Sequence, residues 1–163
     1  MNILKLLKKD HQTVNSIFKR LEMTSNRASK TKLKLFHQVR AELEAHAMVE
    51  EEIVYTPMRE DRKAHDQILE AYEEHNLVRQ LLDELTILSM DDERWDAKLS
   101  VLKEMVEHHV EEEEKTMFKH VERRFDAEDL EHLGDAFQTR KEEWENSSRP
   151  SKVVRSVAKR LIG

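Results

Sequence analysis

Apolar residues recur at steps of three and four along four long stretches of this chain, and this pattern limits the fold to packed amphipathic helices. The stretches run from about residue 2 to 23, 29 to 54, 63 to 89 and 92 to 123. With only two glycines and two prolines in 163 residues, the chain has little material for β-turns. Long helices with short connections pack against their neighbours in opposite directions. We therefore predict an all-α protein built as an antiparallel up-down-up-down four-helix bundle.

Three regions are predicted along the chain. The four-helix bundle occupies residues 1–123, and a short fifth helix, capped by Asp126, forms an accessory region over residues 124–148. Residues 149–163 contain five cations and no acid, so we expect a basic amphipathic tail that docks on the acidic body or on anionic lipid. The cations of this tail are Arg149, Lys152, Arg155, Lys159 and Arg160.

Charge and composition exclude several classes of function. The net charge is −6, and the tail contributes +5, so the remaining body carries −11, which argues against a nucleic-acid partner. No apolar run approaches the length of a membrane span, and no secretory cleavage pattern follows the amphipathic N-terminus, so a cytoplasmic location is expected. The absence of cysteine excludes disulfides, thiolate metal sites and thiol catalysis.

One repeat links the second and fourth predicted helices. The segments read HAMVEEEIVY from residue 46 and HVEEEEKTMF from residue 109. In both, glutamates lie four and five positions after the histidine, and an apolar and an aromatic residue lie eight and nine positions after it. The spacing alone is weak support for a site, because a chain rich in glutamate and with nine histidines produces such pairs by chance.

The phase of these residues is more informative than their spacing, because each predicted helix places a histidine inside its apolar stripe. In the second and fourth helices, a histidine and a glutamate one turn apart replace two core residues. The four stripes are Leu4, Leu7, His11, Val14, Phe18 and Leu21; Phe36, Val39, Leu43, His46, Glu50 and Ile53; Ile68, Tyr72, His75, Val78, Leu82 and Leu85; and Leu99, Leu102, Val106, His109, Glu113 and Met117.

These polar stripe residues are expected to meet in one layer, since in an antiparallel bundle all of them lie roughly 10–20 Å from the same end. Burying two carboxylates and four imidazoles without compensation would cost many kcal/mol, and bound cations would remove that cost. Mixed imidazole and carboxylate ligands suit iron or manganese, although zinc also accepts them. Because carboxylates can bridge two ions, we predict a dinuclear metal centre. Its ligands are His11, His46, Glu50, His75, His109 and Glu113.

The other polar residues receive a plainer interpretation. The remaining five histidines are predicted to be solvated or capping, although His65 could gate the mouth of the bundle. Glu51 and Glu114, which follow the predicted ligands Glu50 and Glu113, are expected on solvated faces. The five histidines are His37, His65, His108, His120 and His132.

Together these elements resemble the hemerythrin family in its HHE cation-binding branch, over about residues 1–123. The resemblance implies two non-haem irons with an oxo or hydroxo bridge, and a protein that binds or reacts with O2, peroxide or NO. It implies that His11 and His46 bind one iron, His75 and His109 bind the other, and Glu50 and Glu113 bridge them. The elements are Asp10-His11, His46-x-x-x-Glu50-Glu51, Glu74-His75 and His109-x-x-x-Glu113-Glu114.

One departure from the family concerns a fifth histidine ligand, which oxygen-carrying hemerythrins have on the third helix. Here Tyr72 lies on the correct face to complete the second iron as tyrosinate, or else it packs as an ordinary core tyrosine. Tyr55 is a weaker candidate for the same role. The departure argues against reversible oxygen carriage and favours redox turnover, such as catalase-like breakdown of peroxide.

Three other functions are alternatives to a di-iron centre. A ferritin-like carboxylate site needs Glu-x-x-His on two helices, but no histidine of this chain has a glutamate three positions before it. Sensing or storage of oxygen or iron without turnover remains an alternative. So does a purely helical interaction module that binds a partner through its acidic faces or basic tail.

Overall fold

The computed structural model describes residues 1–147, so the predictions for the tail at 149–163 lie outside the described residues. This part of the chain is helical and contains no β-strand. None of its helices is long and apolar enough to cross a membrane. The helices are α1 Ile3–Met23, α2 Ser29–Glu50, α3 Thr56–Met58, α4 His65–Ile87, α5 Arg94–Glu112, α6 Phe118–Arg124 and α7 Ala127–Ser147.

Three shorter helical turns complete the architecture. A 3-10 turn at Asn26–Ala28 precedes α2, a π-helical turn at Glu51–Tyr55 joins α2 to α3, and a second π-helical turn at Glu113–Met117 joins α5 to α6. The second and fourth predicted helices are therefore continuous through one wide turn each.

The predicted four-helix bundle is confirmed. Helix α1 packs closely along α2, and α4 packs closely along α5, while the two pairs meet each other less closely at the α1–α5 and α2–α4 faces. The fifth long helix, α7, lies against α1 and α2. It contains 21 residues, as many as α1.

Docking of α7 depends on a close approach of backbones at Gly134. A Cβ atom added there would lie 2.0 Å from the carbonyl oxygen of Met1. Leu130 and Phe137, on the same side of α7, are buried against the bundle. Only glycine allows this part of α7 to contact the start of α1, which places the following turns of α7 above α1 and α2.

The apolar core consists of two separate clusters. One contains the start of α1, the π turns and buried residues of α7, and the other contains the opposite end of the bundle around Phe36 and Trp95. The predicted polar layer lies between them in sequence on every helix: for example, α1 gives Leu7 to the first cluster, Val14 to the second, and His11 to neither.

The π turns explain one difference from the predicted stripes. The amide of Thr56 donates to the carbonyl of Glu51, five residues back, and Phe118 donates in the same way to Glu113. The extra residue sets the following side chains back by about 100° relative to a regular helix. Ile53, predicted as the next core residue, is therefore only partly buried, while Tyr55 is completely buried.

Candidate metal centre

Six of the seven predicted site residues meet in one buried layer at the level of the π turns. Each of the four histidines is at most 8% exposed, and the two glutamates are at most 2% exposed. Their ligand-type atoms form two groups, in each of which the atoms lie within 4.8 Å of one another. The first group is His11, His46 and Glu113, and the second group is Glu50, His75 and His109.

Both carboxylates lie between the two groups. One oxygen of Glu50, Oε2, is 3.3 Å from Nε2 of His46 and 3.6 Å from Nε2 of His75. Glu113 places Oε1 3.8 Å from Nε2 of His11 and Oε2 2.9 Å from Nε2 of His109. Each carboxylate thus faces one histidine of either group, which is the arrangement needed for bridging two cations.

The ring nitrogens that point away from the layer are held by further carboxylates. His11 Nδ1 donates to Glu114 at 2.8 Å, and His46 Nδ1 donates to Asp10 at 3.0 Å. Such partners select the tautomer and orient the ring, so that Nε2 is left free as a metal ligand. Both of these bonds cross between α1 and a neighbouring helix.

The second group repeats this arrangement with one difference. His109 Nδ1 donates to Glu74 at 3.1 Å. His75 Nδ1 lies 3.8 Å from Glu51, whose carboxylate is instead engaged by the guanidinium of Arg79. The Glu51 carboxylate therefore interacts more closely with Arg79 than with His75.

Glu51 and Glu114 were predicted on solvated faces, yet they line the outer edge of the site with Asp10 and Glu74. The sequence does contain the signal. An acidic residue lies directly beside each of His11, His75 and the two bridging glutamates, but it serves a ligand on a different helix.

Unpartnered buried atoms test whether this site fits a metal. Within residues 1–147, six buried side-chain atoms accept or donate no hydrogen bond, and all belong to the predicted ligands. Leaving such groups unpaired costs free energy that a bound cation would recover. The atoms are Nε2 of His11 and His46, both carboxylate oxygens of Glu50, Nδ1 of His75 and Oε1 of Glu113.

The four histidines of the layer differ in their preference for charge: burial lowers the pKa of His11 and lowers that of His75 to about 4, whereas the other two favour the protonated form. Burial opposes the charged form of His46, but the carboxylates of Glu50 and Asp10 outweigh it and raise the pKa to about 10. Burial is likewise outweighed at His109, where Glu113 and Glu74 raise the pKa to about 10. Protons held by these imidazoles occupy the sites that a metal cation would take, so metal binding would release them.

The two bridging carboxylates are not equivalent. Burial raises the pKa of Glu113, and the neighbouring charge of Glu50 raises it further. At Glu50, burial is outweighed by the positive charges of His46 and His109, so its pKa is lowered. The negative charges of the two carboxylates repel each other at short range. A pair of divalent cations would relieve this repulsion.

Tyrosine does reach the layer, but the residue is Tyr55. Its hydroxyl lies 3.4 Å from both His75 Nε2 and Glu113 Oε2, and 3.5 Å from His109 Nε2. Tyr72, the seventh predicted site residue, is partly buried, packs edge-on against Tyr55 at 5.3 Å and has Arg59 over its ring. The structure therefore does not bring the Tyr72 hydroxyl into the six-residue layer.

A regular helix would turn Tyr55 away from the layer, and the π turn brings it in. On α4, the buried position one turn before His75 belongs to Ala71, with Tyr72 on its flank. Burial, followed by the charges of Glu113 and Glu50, raises the pKa of Tyr55 well above its usual value. Ionisation of the Tyr55 hydroxyl to phenolate would therefore need a cation close by.

The remaining histidines lie away from the layer. His65 is exposed and its ring contacts the carbonyl of Arg59, while His108 is exposed beside Glu112. His108 also belongs to a surface group with Glu74 and Glu112. A gating role for His65 stays a prediction.

A bundle that gathers buried histidines and carboxylates from four helices defines a helical metal-binding protein. The model of the family described as Hemerythrin HHE cation binding domain matches residues 2–121. The chain belongs to this family. The family match ends before α7, whose side chains nevertheless contact the site.

Two similar proteins extend the comparison. A hemerythrin HHE cation binding domain-containing protein from Mycobacterium kansasii has the same fold, with a TM-score of 0.81, 23% identity, and coverage of 96% of this chain and 99% of that one. A protein of Nostoc sp. strain PCC 7120 described as a DNA nickase is 30% identical over 141 residues, 86% of this chain. The match spans 39% of that relative's length.

Proposed function

We propose that this protein binds two non-haem irons in the buried layer and uses them to bind or react with O2, peroxide or NO. The observation that carries the proposal is the convergence of two groups of ligand-type atoms, with unpartnered Nε2 atoms on His11 and His46 and unpartnered oxygens on the intervening Glu50 and Glu113. A single ion would leave one of the two groups uncompensated. The geometry therefore supports a dinuclear centre.

Each residue has a defined role in this proposal. His11 and His46 would hold one iron and His75 and His109 the other, while Glu50 and Glu113, which lie between the two groups, would be shared by both irons. The list of donors contains imidazole and carboxylate but no thiolate, which suits iron. When bound, iron would supply reversible electron transfer and open positions for a small ligand.

The protein's own groups determine what that centre can do. Tyr55 places a hydroxyl beside the second group, where oxygen-carrying relatives have a fifth histidine. Two apolar clusters above and below the layer exclude bulk water and strengthen the electrostatic interactions within it. We infer that peroxide turnover fits this centre better than reversible oxygen carriage, with sensing or storage without turnover as the alternative.

The first test is metal content with the matched pair His109→Ala and His108→Ala. The wild-type protein, purified aerobically, should contain about two irons per chain, and His109→Ala should lose most of them, because removing a ligand weakens binding more than the 10–100-fold expected for an outer partner. His108→Ala alters an exposed neighbour and should retain both irons. Two irons per chain in His109→Ala, or no iron in the wild type after anaerobic loading, would refute the centre.

Peroxide then separates the two modes of action. Evolution of oxygen on repeated addition of hydrogen peroxide supports turnover, whereas a single stoichiometric spectral change supports sensing or storage. The DNA nickase activity is a property of a relative more than twice as long, and the negative net charge of this chain does not favour extending it here.

A further inference from the structure

The two wide faces of the bundle are closed to different degrees at the level of the metal layer. A cleft with a volume of about 320 Å³ opens between α1 and α5, and His11 forms part of its wall. The buried Val14, Phe18 and Val106 line it, with the partly buried Val110. His11 is 7% exposed, and its Nε2 has no hydrogen-bond partner. The cleft thus has an apolar wall that includes His11, one of the predicted metal ligands.

The opposite α2–α4 face carries different residues at the same level. When the histidines of α1 and α4 are aligned, His11, Val14 and Phe18 correspond to residues 64 positions later, namely His75, Val78 and Leu82. By the same shift, Asn15 aligns with Arg79.

Arg79 closes the α2–α4 face. Its guanidinium binds the Glu51 carboxylate across the two helices, and Arg40 adds a second crossing to Asp83 at 3.1 Å. On the α1–α5 face the corresponding residue is the exposed Asn15, which lines the cleft. With no arginine to cover it, Glu114 instead bonds His11 at 2.8 Å.

The rim of the cleft is acidic. Glu111 and Glu114 both line it, and within residues 1–147 neither forms an ion pair with lysine or arginine. A negative rim around a low-dielectric passage repels anions and admits neutral molecules. The valine and phenylalanine side chains select further for small, weakly hydrated molecules.

We propose that the α1–α5 cleft is the path by which a small neutral ligand reaches the metal centre from the His11 side, and that its acidic rim discriminates against anions. The proposal rests on the dinuclear function and adds the class of ligand and the side of approach. Neutral diatomic gases and hydrogen peroxide fit it, whereas anions such as azide are disfavoured.

Blocking the cleft provides the first test. Anaerobic stopped-flow mixing of the iron-loaded protein with NO should show that Val110→Trp slows association by about tenfold or more, because the ligand must then wait for an opening motion. Asn15→Arg, an exposed substitution that copies the closure by Arg79, should also slow it. Leu77→Trp adds the same bulk on an exposed site of α4 and should leave the rate unchanged. Unchanged rates in both cleft variants would overturn the proposal.

The acidic rim is tested by the ratio of two probes. Glu111→Gln should accelerate azide association several-fold and leave NO association unchanged. Glu70→Gln removes an equally exposed carboxylate from the groove between α4 and α5 and should change neither rate. Equal azide rates in Glu111→Gln and the wild type would overturn the discrimination.

Xenon provides a readout that needs no iron. Crystals of the metal-free protein pressurised with xenon should show a xenon atom beside Val106 and Val110, and Val110→Trp should abolish it, because apolar cavities bind xenon. Absence of xenon from the wild-type cleft would overturn the access path. Failure to bind iron would instead refute the proposed function, so the two failures are distinguishable.

Discussion

The half of the bundle formed by α1 and α2 and the half formed by α4 and α5 supply the same site elements in the same order. Each provides two histidines, one bridging glutamate and one π turn. The halves differ in the aromatic residue nine positions after the second histidine. The ring of Tyr55 stacks on that of His75 at 5.2 Å between centroids, and the ring of Phe118 stacks on that of His11 at 6.4 Å. A single hydroxyl group therefore distinguishes the two otherwise similar groups of ligand-type atoms.

The halves also differ in what covers them. Helix α7 packs on the α1–α2 half, where Lys141 donates to Asp10 at 2.8 Å and Phe137 packs edge-on against His46 at 6.2 Å. In the other half, Glu74 binds His109 and has no lysine or arginine partner within residues 1–147. The two groups share the same residue types. They differ in the side chains that contact them from outside the layer.

The largest effect is expected from the carboxylates that accept from the outer ring nitrogens of His46 and His109. Asp10→Asn and Glu74→Gln should each lower iron affinity by about 10–100-fold, because each removes the acceptor that orients one metal-facing imidazole. Competition titration with a chelator measures the change. Glu73→Gln, an exposed neighbour, serves as the control, and an affinity of Glu74→Gln within twofold of this control would contradict the role of Glu74.

A smaller effect is expected from α7. Lys141→Met should lower affinity by about fivefold at most, since a partly exposed ion pair contributes about 1 kcal/mol or less. The loss should be confined to the iron held by His46, leaving the His109 side unchanged. Arg140 lies on the same helix as Lys141. Arg140→Met breaks an exposed ion pair with Glu52 and should have no effect on metal affinity. If both variants behaved alike, α7 would merely stabilise the fold.

The smallest effect on affinity, but a distinct spectral one, is expected at the two aromatic residues. Tyr55→Phe makes the halves equivalent and should abolish any tyrosinate-to-iron band in the visible spectrum while leaving about two irons bound. Phe118→Tyr offers a second hydroxyl to the His11 side and should add such a band. A band that persists in Tyr55→Phe and disappears in Tyr72→Phe would restore Tyr72 as the ligand.

Much of this architecture could be predicted from the sequence, because helical phase is a local property. The buried positions of His11, His46, His75 and His109 follow from steps of three and four residues, and the two bridging glutamates follow from the same steps. Their common depth follows from antiparallel packing of helices of known rise. These inferences need no knowledge of contacts between particular side chains.

The rest depends on contacts between helices and on a local departure from regular geometry. That Asp10 serves His46, rather than its neighbour His11, follows from the alignment of α1 beside α2. The choice of Tyr55 over Tyr72 follows from the π turn, which no stripe of regular period predicts. The contribution of Lys141 requires α7 to fold back over the bundle, 131 residues from Asp10 in the chain.

The separation of the core into two apolar clusters has a consequence for cooperativity. Without metal, the layer between the clusters contributes unpaired polar atoms instead of continuous packing, so each cluster can open with its own free energy. Ions bound by residues from α1, α2, α4 and α5 would join the two clusters into one unfolding unit. Amide exchange would then show two levels of protection in the metal-free chain and a single level once the metal is bound.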